Sequence, residues 1–377
     1  MKKNIIKTLA VIVLALLMSC LVQYDFSSLS YFSPQEKDND FLFSDFIQTV
    51  AKWQGAPTLD ERVIIVDIAD DNREQIIKTV ALIDSFRPAA IGLDVLFRDY
   101  QPTTDSLIRA IVKQTPELVL PCYLSNYEDK EKQEIIKPYC ADSLNAMIAA
   151  INLQGENQLN SVRETRLFYE LASGQRIESF PVAVLSVADK NAYRRLCVRA
   201  HEVEEINYAN YTHSVLSPDE IVEHHQIIKG AIVLVGSLNE INDIHKTPVS
   251  SKISGVEIHA NVISMMLHDA YFSRTSPWFD WSLAIILCFA MILLKYCIQD
   301  KPYCDILIRI IQIVVLWLLI VITFKAFKSF GVLLGAASSL LMVALGLMAK
   351  EIVDGGWWSC KKLANIAKRL FKKSLKK

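Results

Sequence analysis

Apolar residues collect toward the two ends of this chain, and that distribution limits the possible folds more than any other feature. Ile5–Val22 reads IIKTLAVIVLALLMSCLV, and three further apolar runs lie at about Trp278–Ile298, Ile306–Phe324 and Phe330–Ala349. A helix needs roughly 20 apolar residues to cross a bilayer core about 30 Å thick, so these runs are predicted as membrane spans. The first is only just long enough. The expected layout is four transmembrane α-helices, at residues 5–22 and within 278–349, with a large domain, residues 23–277, between the first and second.

Charge agrees with that layout. Residues 1–7 hold three lysines and no acid, residues 350–377 hold nine basic and two acidic residues, and residues 8–277 carry a net −13. Lys and Arg concentrate on the cytoplasmic side of membrane proteins, so both termini are expected in the cytoplasm and residues 23–277 outside it. An acidic central domain also argues against nucleic acid as a partner. The first run admits two other readings, a cleaved signal peptide or, at Leu17-Met18-Ser19-Cys20, lipidation of Cys20. A retained anchor is preferred because no clear small-x-small cleavage site is present.

Between the spans the pattern is α/β. Val63–Ile68, Ala89–Leu96, Glu117–Tyr123 and Ala231–Gly236 are short β-branched apolar runs, as buried strands require. Asp71–Phe86, Thr104–Lys113, Phe180–Ala188 and Val256–His268 have helical spacing, and Ser217-Pro218-Asp219-Glu220 reads as a helix start. Strands alternating with helices imply a mostly parallel sheet with flanking helices, with its core in residues 61–275. Arg163–Glu178 reads as a hairpin around Ala172-Ser173-Gly174, and Ser237–Ser254 as a polar loop. In the tail, 350–377, the segment Ser359–Lys377 aligns Leu363, Ile366, Leu370 and Phe371 on one face and lysines on the other, a basic amphipathic helix suited to an inner leaflet.

Eight cysteines show no metal spacing; Cys122 and Cys140 are the pair nearest in sequence within the large domain. Gly331-Val-Leu-Leu-Gly335 is a small-x-x-x-small match, read either as a helix contact between two copies, hence a possible homodimer, or as packing within one chain. Phosphate-loop, nucleophile-elbow, dinucleotide, kinase and cyclase motifs are missing, so no enzyme activity and no cofactor are expected.

Four stretches together carry a family resemblance: VIIVDIADD at Val63–Asp71, AAIGLDVLF at Ala89–Phe97, IVLVGSLNEINDIHKTPV at Ile232–Val249, and GVEIHANVISMML at Gly255–Leu267. In these, and in its spans, the chain resembles the CHASE-two domain proteins, whose extracellular sensory domains sit on bacterial cyclases and histidine kinases. The resemblance implies a multi-pass protein of the bacterial inner membrane with a periplasmic sensory domain. It departs from the family where Asp70-Asp71 runs directly into Asn72-Arg73-Glu74, and where Asn160-Ser161-Val162-Arg163 replaces an Asp-Gly-x-x-Arg signature. The family's cytoplasmic output domain is also not among the residues after 349.

Ligands of open α/β sheets bind beyond the carboxyl ends of the strands. Asp67 and Asp94 fall late in two strands that look adjacent, Asp70 and Asp71 follow the first, and Asp243, His245 and Thr247 follow Ala231–Gly236. Gathered together, these would make a mostly acidic pocket for a cation or a small ligand. The competing reading is helix capping and loop hydrogen bonding by the same side chains. Glu257 is expected at the positive end of the last helix of the domain. The expected function is a membrane-bound receptor that detects a small-molecule or envelope signal and passes it to a separate cytoplasmic effector. The alternative is a structural or scaffold subunit of a cell-envelope complex; a hydrolase built on the acids is a distant third.

Overall fold

Short, continuously apolar strands build the centre of the larger of two compact units, Asp40–Phe272; the other unit combines Met1–Asn39 with Ser273–Lys377. The structure, a computed structural model, describes residues 2–32, 43–55, 57–69, 71–126, 133–139, 146–153, 161–298 and 302–374. Asp70 and Cys140 lie outside the described residues.

Helix α1 is Lys2–Phe32 and α2 Phe43–Gly55; strand β1 (Thr58–Asp67), α3 (Arg73–Ser85), β2 (Ala90–Leu93), α4 (Pro102–Gln114) and β3 (Leu118–Ser125) follow. Short strands come next: β4 (Glu134–Ile136), β5 (Met147–Ala150), β6 (Glu164–Arg166), β7 (Phe168–Glu170) and β8 (Arg176–Glu178). Then come α5 (Phe180–Ala188), α6 (Lys190–Arg199), β9 (Val203–Glu205), β10 (Tyr211–Leu216), α7 (His225–Ile228), β11 (Ile232–Gly236), β12 (Ile244–Thr247), β13 (Ser250–Ser254) and α8 (Gly255–Leu267).

A seven-stranded sheet runs β10-β1-β11-β2-β3, and β3 pairs with both β5 and β4. All these pairs are parallel except β3 with β4. Val63 and Ile65 of β1, with Ile232 and Leu234 of β11, face one core beneath α5, α6 and α8; Ile64, Val66, Val233 and Val235 face the other, beneath α3 and α4. A sheet covered on both faces needs such continuous apolar strands, and each fully buried Val or Ile side chain contributes about 1.5–3 kcal/mol. At Gly92 an added Cβ would come within 2.8 Å of Phe180 and Leu234, so α5 packs directly on the backbone of β2.

The sheet order corrects one expectation. β1 and β2 are not neighbours, because β11 is inserted between them. Local apolar runs reveal strands but not their pairing, which is decided between residues far apart in sequence. The expected loop Ser237–Ser254 also contains the antiparallel hairpin β12–β13, and Arg163–Glu178 divides: β7 and β8 form the expected hairpin, while β6 pairs with β9.

In the second unit, α9 (Pro277–Ile298), α10 (Cys304–Phe330) and α11 (Ala336–Ser374) follow the short strand β14 (Ser273–Arg274), which pairs with β15 (Val332–Leu333). Among the described residues three helices are long and apolar enough to cross a membrane: Pro277–Ile298, Cys304–Phe330 and Ala336–Ser359. Four were expected; three are found among the described residues. The described apolar part of α1, Lys7–Val22, is shorter, within a helix that runs Lys2–Phe32. It packs through Val11 and Ala15 against Ala284, Cys288, Ile292, Met342 and Ala349. The tail continues α11 without a break to Ser374; the side chains of Ile366, Leu370 and Phe371 lie outside the description.

The small-x-x-x-small motif is also corrected, since it is not inside a span. Gly331 ends α10 in the left-handed conformation, φ 61°, where glycine is favoured. Gly335 lies in the loop, donating its N–H to Thr275 Oγ1 at 3.1 Å and Asp280 Oδ1 at 3.2 Å. The close helix contact is instead at Gly346 of α11, where a Cβ would stand 2.6 Å from Cys288 Sγ.

Candidate functional site

The carboxyl ends of β1, β11 and β2 place Asp67, Gly236 and Asp94 in sequence across the sheet, as their register dictates. Asp67 serves the backbone. Its Oδ1 accepts the N–H groups of Ala69, at 3.0 Å, and of Leu238, at 3.1 Å, tying the loops after β1 and β11 together. That support matters because Ala69 has φ 45°, unfavourable for a side chain bearing Cβ. Asp71 is half-buried and its N–H donates to the Ile68 carbonyl at 2.8 Å. The next residue, Asn72, caps α3 through a capping box with Gln75.

Asp94 and Asp243 form the distinctive part. Asp94 follows β2, with its N–H on the Val235 carbonyl at 2.8 Å. Part of its surface stays accessible, yet the packing around its carboxyl raises its pKa well above the ordinary value, and the charge of Asp243 raises it further. Asp243 itself is held at the start of α8. Its Oδ2 accepts the Gly255 N–H at 3.0 Å and its Oδ1 meets His245 Nε2 at 3.1 Å. Residue 255 must be glycine for this: a Cβ there would lie 2.5 Å from Asp243 Oδ1. Glu257 closes a capping box with Ser254 at the same helix start, the structural role expected of it.

His259, one turn along α8, completes the cluster, and the sequence reading passed it over. It is 2% exposed, its ring centre is 5.1 Å from that of Phe180, and its Nδ1 is buried without a partner. Burial pushes its pKa down to about 4; Asp243 opposes this and His245 adds to it. The available signal was a lone histidine in an otherwise apolar run, VEIHANVISMML.

Thr247 stands apart from these acids. Its hydroxyl donates to the Ser250 carbonyl at 3.1 Å and accepts the Ser250 N–H at 3.2 Å, closing the β12–β13 turn. Of the expected site, then, Asp94, Asp243 and His245 converge, Asp67 and Thr247 tie loops, and Asp70 lies outside the described residues. Among the described residues no group of three or more His, Cys, Asp or Glu side chains is arranged to hold a metal ion. What the cluster offers is a carboxyl that keeps its proton to higher pH than usual, beside a carboxylate and two imidazoles. Cys122 is a buried free thiol, pushed by burial up to about 12.

The family model described as the CHASE2 domain matches residues 11–295. No curated protein and no solved structure matches the chain.

Proposed function

Because the chain belongs to the CHASE2 domain family, a family of extracellular sensory domains, we propose that it is a membrane-bound sensor that passes its signal to a separate cytoplasmic effector and catalyses no reaction itself. The family match, joined to three helices able to cross a membrane, carries this reading. In the proposed orientation residues 23–277 are periplasmic in a bacterial inner membrane, and three crossings bring the end of α11 into the cytoplasm. Lys7 pairs with Asp354 at 2.9 Å, so the start of α1 meets α11 at this level.

The same inner level supplies a means of transmission. Asp354 also holds Lys350 at 2.7 Å, while Glu351 holds Arg309 at 3.0 Å and Lys295 at 3.3 Å. These pairs link α1, α9, α10 and α11. A signal favouring one arrangement of the domain would shift the population of helix arrangements, with the paired charges exchanging partners. Asp94, Asp243 and His245 are the proposed receiving residues.

The test is a photo-crosslinking side chain placed at Lys362 in cells, with recovered cytoplasmic partners compared between the native chain and Asp94→Asn. A sensor gives a partner whose yield changes with the periplasmic substitution. Identical partners and yields in both chains would refute signal transfer and favour a static scaffold.

A further inference from the structure

Strand β6, the hairpin β7–β8 and the C-terminal turn of α6 line a cavity of about 550 Å³ that shares no residue with the strand-end cluster. That size is within the roughly 300–1,000 Å³ of small-molecule sites. Arg166, Phe168, Glu170, Arg176, Cys197 and His201 line it.

Two guanidinium groups set its chemistry. Arg176 stacks on Phe168, 3.6 Å from the ring centre, and among the described residues its side chain has no ion-pair or hydrogen-bond partner. Stacking holds the planar fork rigid while leaving its edge N–H groups available. Arg166 stands 6.0 Å from the ring centre of Tyr169; its Nε is buried without a partner, and Glu202 is 3.9 Å from its Nη1, beyond hydrogen-bond length. A buried N–H without an acceptor is costly, and a ligand oxygen would remove that cost.

The acids around the cavity refine the choice. Glu202 is 82% exposed and stands 3.9 Å from Arg166, and Glu170 is opposite Arg176 across the β7–β8 hairpin, so the two acids offset part of the positive charge and both repel a heavily charged anion. His201 is already engaged with Glu204, Nδ1 to Oε1 at 2.8 Å. We propose that this cavity binds a small carboxylate, gripped by the forks of Arg166 and Arg176. A planar carboxylate matches such forks with two parallel hydrogen bonds.

Isothermal titration of the full chain in nonionic micelles, at constant ionic strength, tests this with succinate, aspartate and inorganic phosphate. Succinate and aspartate share the carboxylates and differ in the ammonium group, which Glu170 and Glu202 would favour, so their ranking separates plain organic acids from amino acids. The expected result is saturable binding of at least one of them, weakened about tenfold or more in Arg176→Gln and in Arg166→Gln. Arg176 is exposed, so its variant should keep the native urea midpoint. Cys197 is exposed and lines the cavity, so its alkylation by iodoacetamide, read by peptide mass spectrometry, should slow severalfold in saturating ligand. No saturable carboxylate binding up to about 10 mM, binding retained in both variants, preference for phosphate, or an unprotected Cys197 would each overturn the proposal.

Discussion

Replacing His259 with leucine should flatten the acid destabilisation of the α/β unit. His259 is 2% exposed, with its Nδ1 unpartnered, and burial holds its pKa down to about 4. The unfolded chain should titrate this histidine near the ordinary value of about 6.5. Between those values the unfolded state takes up a proton that the fold refuses. The stability associated with the neutral ring is therefore fully present above about pH 6.5, is lost as pH falls toward 4, and changes no further below that. At about pH 5 the loss amounts to about 2 kcal/mol. His213, pushed down to about 4 mainly by burial, adds a loss of the same sign. Asp94, with its raised pKa, acts oppositely, since the fold binds that proton more readily than the unfolded chain. The wild-type slope is thus a sum, and only comparison with the variant isolates His259. Urea unfolding followed by circular dichroism, in nonionic micelles near pH 7 and pH 5, supplies both stabilities by linear extrapolation. Any packing offset caused by leucine appears at both pH values and cancels. The native chain should lose about 2 kcal/mol more than His259→Leu between them. Equal losses would refute the argument that burial keeps this ring neutral.

Asp45→Ala should destabilise the same unit by about 1.5–3 kcal/mol, because it removes the charge-assisted hydrogen bonds that Arg163 Nε and Nη2 donate to Asp45 at 2.9 and 2.7 Å; an unchanged urea midpoint would contradict this. Gly92→Ala should cost about 1–3 kcal/mol by overpacking against Phe180, Val184 and Leu234, and a neutral result would mean that α5 can retreat from β2. Reporter fusions at Lys377 and after Asn126 should report opposite sides of the membrane; matching sides would overturn the proposed orientation.

Elements whose signal is local were legible in advance. Phe180–Ala188 forms α5 with the expected bounds, and the strands Val63–Ile68 and Ala231–Gly236 were located within a few residues. Glu257 was expected at the positive start of the last helix of the domain, where it forms a capping box with Ser254. The short strand β5 was missed because Met147–Ala150 is too brief for periodicity to register and is stabilised by pairing with β3. At the site, Asp243 and His245 lie within 3.1 Å of one another, whereas Thr247, beyond a register shift after His245, closes the β12–β13 turn.

The sequence by itself determined that apolar helices would gather at the ends of the chain and that a sheet buried on both faces would lie between them. Both properties follow from the order of apolar and polar residues along a few turns of helix or one strand. Only the tertiary structure decided that β11 separates β1 from β2, that His259 is buried against Phe180, and that Arg166 and Arg176 share one cavity. It also decided that Gly331 and Gly335 belong to a turn. These outcomes depend on pairing and packing between residues distant in the chain, where many arrangements satisfy the same local pattern and the joint fit of side chains selects one.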